Sequence, residues 1–245
     1  MEGMTLAEVA EAMGGELVGD GLDVFPTGGC MDTRVLNPGE LFFAFSGEQV
    51  DGHRFVNQAL EKGASAAVVD RAWYAEQEAV DGPLVVVQAV DLAMGKLGRV
   101  YRDRFQIPVV GITGSTGKTT TKDMTATVLR TRYRVLATEG NLNNHLGVPL
   151  TLFRLSSEDD VAVIEMGISD HGELQYLCEI ADPTIGVITN IGPTHLEFLG
   201  SVEGVAKAKG EILDYLDESS LTILNLDDLL LSKERAKIKG RLLGF

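Results

Sequence analysis

With 245 residues, 44% of them hydrophobic, 23% charged and seven prolines, the chain has an ordinary globular composition and room for two domains that each bury a core. A formal charge of −15 argues against a protein that holds nucleic acid by general backbone attraction, which needs a positive surface. It leaves room for an anionic small ligand, because a few backbone N–H groups, a lysine and a bound cation can hold phosphate on an acidic protein.

The opening MEGMTLAEVAEAMGG carries acids where a secretory signal would be basic and apolar, so a cytoplasmic protein is expected. Thr5 with Glu8 fits a capping box that starts a short helix. No apolar run approaches the ~20 residues that span a bilayer, and no membrane insertion is expected. Next, ELFFAF, ASAAVVD and PLVVVQ read as strands, and HRFVNQALEKG as a helix ending at Gly63. A helical pattern from Asp91 to Arg104 then runs into Gln106-Ile107-Pro108, where Pro108 disfavours helix at the residue before it. The boundary is placed there, giving a small α/β domain over residues 1–105 and a second domain over 106–245. Cys30 and Cys178 are isolated from each other and from histidine, and buried free thiols are expected.

From Val109 the rhythm changes. VVGIT, a helix from Lys118, RVLAT, a helix near Val148, VAVIE, a helix from Glu173, IGVITN, a helix from Val202, LTILN and RLLGF alternate in turn. This is the pattern of βαβ units, and it predicts a mostly parallel sheet with flanking helices and right-handed crossovers.

The sharpest motif is Gly111-Ile-Thr-Gly114-Ser115-Thr116-Gly117-Lys118-Thr119-Thr120, between a strand and a helix. Glycines let the backbone N–H groups curl around phosphate oxygens, Lys118 adds a cation, and the Thr119 hydroxyl can ligate Mg²⁺. The commonest P-loop has glycine five residues before Gly117, where this chain has Ile112; the alternative is a glycine-rich turn without a nucleotide. Ligands of open α/β sheets gather at the carboxyl ends of strands. There the sequence sets the glycine loop, Glu139 to Asn144, Glu165, Asn190 to His195, and Asn225 to Asp228. Glu165 ends VAVIE and can serve a magnesium ion beside Thr119, or be a solvated strand-end acid.

In the helix from Val202, Lys209 shares one face with Val202, Val205, Leu213 and Leu216, whereas Lys207 falls among Glu203 and Glu211. A lysine on an apolar face needs a partner or a changed charge, unless its amine snorkels to water. His195, after the TNIGPTH turn, can ligate metal, orient a carboxylate or cap a helix, and the structural role is favoured.

With these residues assembled, the sequence resembles the Mur ligases, and among them the branch that adds D-alanyl-D-alanine. TGSTGKTTTKDM, EGNLNNHLGVPLTL, AVIEMGISDHGEL, ITNIGPTHLEFLGSVEGVAKAKGEI and ILNLDD are similar to its successive motifs, and DTRVLNPGELFFAFSGEQVDGHRFV to its uridine-nucleotide-binding segment. The resemblance implies an ATP-dependent amide ligase of peptidoglycan precursor synthesis. Such a ligase joins D-alanyl-D-alanine to UDP-MurNAc-tripeptide through an acyl phosphate. It implies that Gly114, Ser115, Thr116, Gly117, Lys118, Thr119 and Thr120 hold the ATP phosphates, with Asn225 and Asp228 on the adenine side. Thr119, Glu165 and His195 are implied in Mg²⁺ binding, and Asn143 and Asn144 near the substrate and γ-phosphate. Lys209 matches the lysine carbamylated in these enzymes, a change that turns a buried cation into an anion able to help position magnesium. Thr33, Arg34, Gly47, Asp51 and His53 are implied in the UDP-sugar site.

A ligase of this type has a longer central domain and a third domain, so the chain, stopping at Gly244-Phe245, is expected to carry an incomplete central domain and to be inactive alone. The competing readings are a UDP-muropeptide-binding module without catalysis, and a related ligase adding another amino acid or glutamate to folate. A general P-loop switch or kinase leaves Lys209 and NLNNH without a role.

Overall fold

The computed structural model describes residues 1–47, 50–78 and 80–245, so Glu48 and Gln49, within the segment that resembles the family's uridine-nucleotide-binding one, lie outside the described residues. The chain divides into two compact units. One is Met1–Arg104 with Leu152–Ser157, and the other is Phe105–Thr151 with Glu158–Phe245.

The first unit runs α1 (Leu6–Met13), β1 (Glu16–Val18), β2 (Gly28–Cys30), β3 (Glu40–Phe43), a 3-10 turn (Gly52–Phe55), α2 (Val56–Glu61), β4 (Ala66–Asp70), α3 (Arg71–Tyr74), β5 (Leu84–Val87) and α4 (Val90–Arg102). The capping box forms as read: Thr5 Oγ1 accepts from the Glu8 N–H, and Glu8 Oε2 from the Thr5 N–H at 2.7 Å. The strands order β1-β5-β4-β3-β2, all parallel except β1. HRFVNQALEKG is not one helix, because Asp51 caps a 3-10 turn first and α2 begins only at Val56.

Phe42, Val56, Ala59, Val69 and Val86 form the core under α2. Phe153, from far along the chain, is fully buried within this unit, its ring 5.8 Å from Phe43 and edge-on to Tyr101 at 6.4 Å. The Tyr101 hydroxyl donates to the Leu155 carbonyl at 2.6 Å, and the Ser157 N–H to Glu2 Oε2 at 2.8 Å. An aromatic anchor and two hydrogen bonds thus draw residues 152–157 into the first unit.

The second unit runs β6 (Val109–Thr113), α5 (Lys118–Leu129), β7 (Val135–Ala137), α6 (Gly147–Leu152), β8 (Val161–Glu165), α7 (Glu173–Ala181), β9 (Ile185–Ile188), α8 (Leu196–Leu199), α9 (Val202–Tyr215), β10 (Leu221–Leu224), α10 (Leu229–Glu234), a 3-10 turn (Arg235–Lys237) and β11 (Arg241–Gly244). Its six strands order β11-β10-β9-β6-β8-β7 and every pairing is parallel. β6 and β8 are buried at every residue, as a parallel strand covered on both faces must be. The crossover from β6 to β7 runs one way and the later ones run the other. Right-handed connections therefore put α5 on one face and α7 and α9 on the opposite face. Gly186 of β9 confirms the second face: a Cβ there would lie 2.6 Å from Leu216 Cδ1, so only glycine lets α9 settle that close. Among the described residues no helix is long and apolar enough to cross a membrane.

Replacing Phe153 with alanine should cost the first unit about 3–5 kcal/mol, the usual loss for a buried phenylalanine. Urea unfolding followed by fluorescence of Trp73, the chain's one tryptophan and part of this unit, measures it.

Candidate functional site

Five parallel strands release their chains at one edge of the central sheet, and the predicted phosphate residues gather there. Gly114 leaves β6 with φ +146°, and a Cβ on it would collide with Thr189 Oγ1, so this position demands glycine for both backbone and space. The loop is stapled to the segment after β9. The Ser115 N–H donates to the Asn190 carbonyl at 3.0 Å, the Thr116 N–H to Asn190 Oδ1 at 3.0 Å, and the Thr189 hydroxyl to the Thr116 carbonyl at 2.6 Å. The Gly192 N–H donates to Ser115 Oγ at 2.8 Å. Gly117 carries no side chain to cap α5, so the first-turn N–H groups of Lys118, Thr119 and Thr120 have no intrahelical acceptor and form a positive helix end beside the loop. Lys118 Nζ donates back to the Gly114 carbonyl at 2.8 Å. Burial lowers its pKa, and Glu165 opposes that shift.

Glu165 is 2% exposed and sits in register with Ile112, one residue from the end of β6. Its Oε1 accepts from Asn143 Nδ2 at 2.8 Å, and its backbone N–H donates to Thr138 Oγ1 at 3.0 Å. Glu165 Oε2 and Thr113 Oγ1 are both buried with no partner among the described residues. Two orphaned oxygens at the mouth of adjacent strands fit a hard cation such as Mg²⁺. No group of three His, Cys, Asp or Glu gathers at metal spacing among the described residues, so a cation here would draw its remaining ligands from hydroxyls, water or phosphate.

Lys209 of α9 is 1% exposed, and its amine makes no hydrogen bond or ion pair among the described residues. Burial lowers its pKa to about 8, and the nearby Lys118 charge adds to the fall. Lys118 thus lies within electrostatic reach of both Glu165 and Lys209.

Of the remaining residues, Asn144 caps α6, its Oδ1 accepting from Gly147 N–H at 2.9 Å. His195 is exposed at φ +52°, and its imidazole makes no hydrogen bond among the described residues. Asn225 and Asp228 are committed to the fold. Asn225 Nδ2 donates to the Thr189 carbonyl at 3.1 Å, while Asp228 accepts from Ile191 N–H at 2.7 Å and caps α10. Beside Glu165 and ahead of α7 lies a cleft of about 470 Å³, with Asn144, His145, Ser169, His171 and Tyr176 in its walls.

In the first unit Thr33 donates to Gln58 Oε1 at 2.9 Å and is buried. Arg34 is exposed and chelates Asp32, whose carboxyl it holds down at about 2. Gly47 donates its N–H to the Val50 carbonyl at 3.0 Å. His53 is 3% exposed. Its Nε2 accepts from the Asp70 N–H at 3.1 Å, so in that arrangement the ring is the Nδ1–H tautomer, donating to Asp51 Oδ1 at 2.7 Å. It also stacks on Trp73, ring centroids 5.0 Å apart. Among these five residues Thr33 and His53 are turned inward, whereas Arg34 presents an exposed charge.

Sequence reading missed Thr113, Thr138 and Thr189, which hold or flank the acid and the glycine loop. Their common signal is a threonine at the carboxyl end of a parallel strand.

Two measurements test this geometry. Gly114→Ala should strain the loop by about 1–3 kcal/mol and lower the urea midpoint followed by circular dichroism. Lys209 releases its proton more readily folded than unfolded, so between about pH 8 and its ordinary 10.5 the unfolded chain binds more protons and stability rises with pH. Urea midpoints taken across that window in buffer free of carbon dioxide should climb, and Lys209→Met should flatten the rise.

The chain is similar to known proteins. Residues 112–245 match the model described as the Mur ligase middle domain, and residues 28–108 the one described as Mur ligase family, catalytic domain. The UDP-N-acetylmuramoyl-tripeptide--D-alanyl-D-alanine ligase of Escherichia coli (strain K12) is 41% identical over 93% of this chain and 49% of its own length. That of Bacillus subtilis (strain 168) is 44% identical over 82% of this chain and 43% of its own length. The crystal structure of MurF from Acinetobacter baumannii superposes with TM-score 0.87 at 31% identity, covering 99% of this chain and 53% of that one. MurF from Thermotoga maritima, solved in complex with ADP, gives 0.78 at 32% identity over 89% of this chain and 50% of that one. The chain spans about half the length of the relatives it matches. With its middle-domain match running through the glycine loop, Glu165 and Lys209, the chain belongs to the Mur ligase family.

Proposed function

We propose that this chain supplies the nucleotide-binding and acceptor-activating part of an ATP-dependent ligase that joins D-alanyl-D-alanine to UDP-MurNAc-tripeptide in peptidoglycan precursor synthesis. The observation that carries the reading is the glycine loop with Lys118 at the end of β6, next to the buried and half-unpartnered Glu165 at the end of β8. The names of the relatives, all such ligases over about half their length, support the choice of substrates.

In this reading the tripeptide carboxylate takes the γ-phosphoryl group of ATP and ADP leaves; the D-alanyl-D-alanine amine then attacks the acyl carbon of the resulting acyl phosphate, loses a proton and expels inorganic phosphate. The loop from Gly114 to Gly117 and the first-turn N–H groups of α5 take the phosphate charge, and Lys118 leaves the Gly114 carbonyl to join them. Thr119 and the orphaned oxygen of Glu165 would hold Mg²⁺, with His195, unbonded and exposed, as a further ligand. Bound there, magnesium would neutralise phosphate charge. Asn143 orients Glu165, and Asn144 stands at the rim of the adjacent cleft. Asn225 and Asp228 would shape the adenine side through the 189–191 segment they brace. In the first unit Arg34, with Thr33, Gly47, Asp51 and His53 setting the loops around it, would take the uridine-nucleotide end. The Lys209 amine, partly uncharged near its lowered pKa, is able to add carbon dioxide and release one proton, which gives a carbamate suited to helping position magnesium.

Titration with Mg²⁺ and AMP-PNP, and separately with UDP-MurNAc-tripeptide, tests the proposal, together with intact-mass measurement in bicarbonate. The expected result is binding of both ligands, loss of the nucleotide alone in Lys118→Met, and added mass of one carbon dioxide that disappears in Lys209→Met. Nucleotide affinity indifferent to Lys118 would overturn it.

A further inference from the structure

Helix α7 begins at Gly172, whose φ of +80° and missing side chain leave its first turn without a cap of its own. Glu211 of α9 supplies it from outside. Its Oε1 accepts from the Gly172 N–H at 2.8 Å and its Oε2 from the Gln175 N–H at 3.2 Å. A carboxylate spread over two helix-end N–H groups is a strong, directional contact, and its side chain is only 16% exposed. The residues it pins belong to a cleft wall: His171, Gly172, Glu173 and Tyr176 line the cavity that Asn144 and Gly167 also border. The same loop is tied at its other end, where the Gly167 N–H donates to the Asn143 carbonyl at 2.8 Å, and Asn143 holds Glu165. Glu173 braces the middle, accepting from the Ser169 N–H at 2.6 Å.

Glu211 also stands two residues beyond Lys209 on α9. One short stretch of helix therefore carries both the buried amine within reach of Lys118 and a clamp on the cleft wall. We infer that Glu211 is a positioning residue: it holds the 167–176 wall in register with Glu165, to which Asn143 ties it, so that an acceptor seated in the cleft meets the phosphate site. The inference rests on the proposed function for the identity of the acceptor, and on hydrogen bonds alone for the clamp.

The test compares Glu211→Ala and Glu211→Gln in the full 245-residue chain. Amide hydrogen exchange in the ligand-free protein should speed up by about tenfold or more across residues 167–176 in the alanine variant and stay unchanged in the glycine loop. Affinity for UDP-MurNAc-tripeptide should fall by about tenfold while that for Mg²⁺ with AMP-PNP stays within about twofold. The glutamine variant keeps an acceptor oxygen and should recover most of both effects; if the alanine variant fails to fold, the glutamine variant carries the test, with a smaller loss of the same pattern. Uniform exchange, equal weakening of the two ligands, or full tripeptide affinity despite a freed wall would each overturn the inference. A wild-type chain that ignores UDP-MurNAc-tripeptide instead defeats the proposed function, and the exchange result still decides whether Glu211 clamps the wall.

Discussion

The stapling of the glycine loop to the segment after β9 is the constraint on which the rest of the central unit depends. A loop built from Gly114 and Gly117 has little stiffness of its own, since both residues occupy backbone regions that side chains avoid. Asn190 and Thr189 provide it by taking up the Ser115 and Thr116 backbone groups. Asn225 and Asp228 in turn hold the 189–191 segment in place. The cradle is thus the top layer of three adjacent strand ends, and its geometry is inherited from the register of β6, β9 and β10.

Within that frame, charge is placed with economy. Glu165 tempers the effect of burial on Lys118, while Lys209 is left buried with a like charge nearby. A buried ammonium in such a place is costly, and the cost is what lowers its proton affinity. The two buried oxygens without partners among the described residues, on Glu165 and Thr113, suit a hard cation.

Much of this was legible in the sequence because its signals are local. The glycine loop, the apolar strands and the misplaced polarity of Lys209 each show within a window of a few turns or one strand. What escaped was set by distant partners. The three-residue strands β1 and β2 exist only by pairing with β5 and β3, and nothing in ELV or GGC announces that. The inclusion of Leu152–Ser157 in the first unit follows from where Phe153 finds aromatic company. His53 reads as a polar ligand in a motif, yet its ring is consumed by Asp51, Asp70 and Trp73. Glu211 reads as one more acid on a solvated helix face, because the N–H groups it serves lie 36 and 39 residues earlier.

The staples of the glycine loop reach across 73 to 77 residues of chain. Contacts of such long range form late, since closing the intervening chain costs entropy that no local bond repays. A ribosome releasing this polypeptide from its first residue would expose the complete glycine loop while the residues that stiffen it were still unmade. The loop therefore gains its folded shape only after residue 192 has emerged and β9 has docked beside β6.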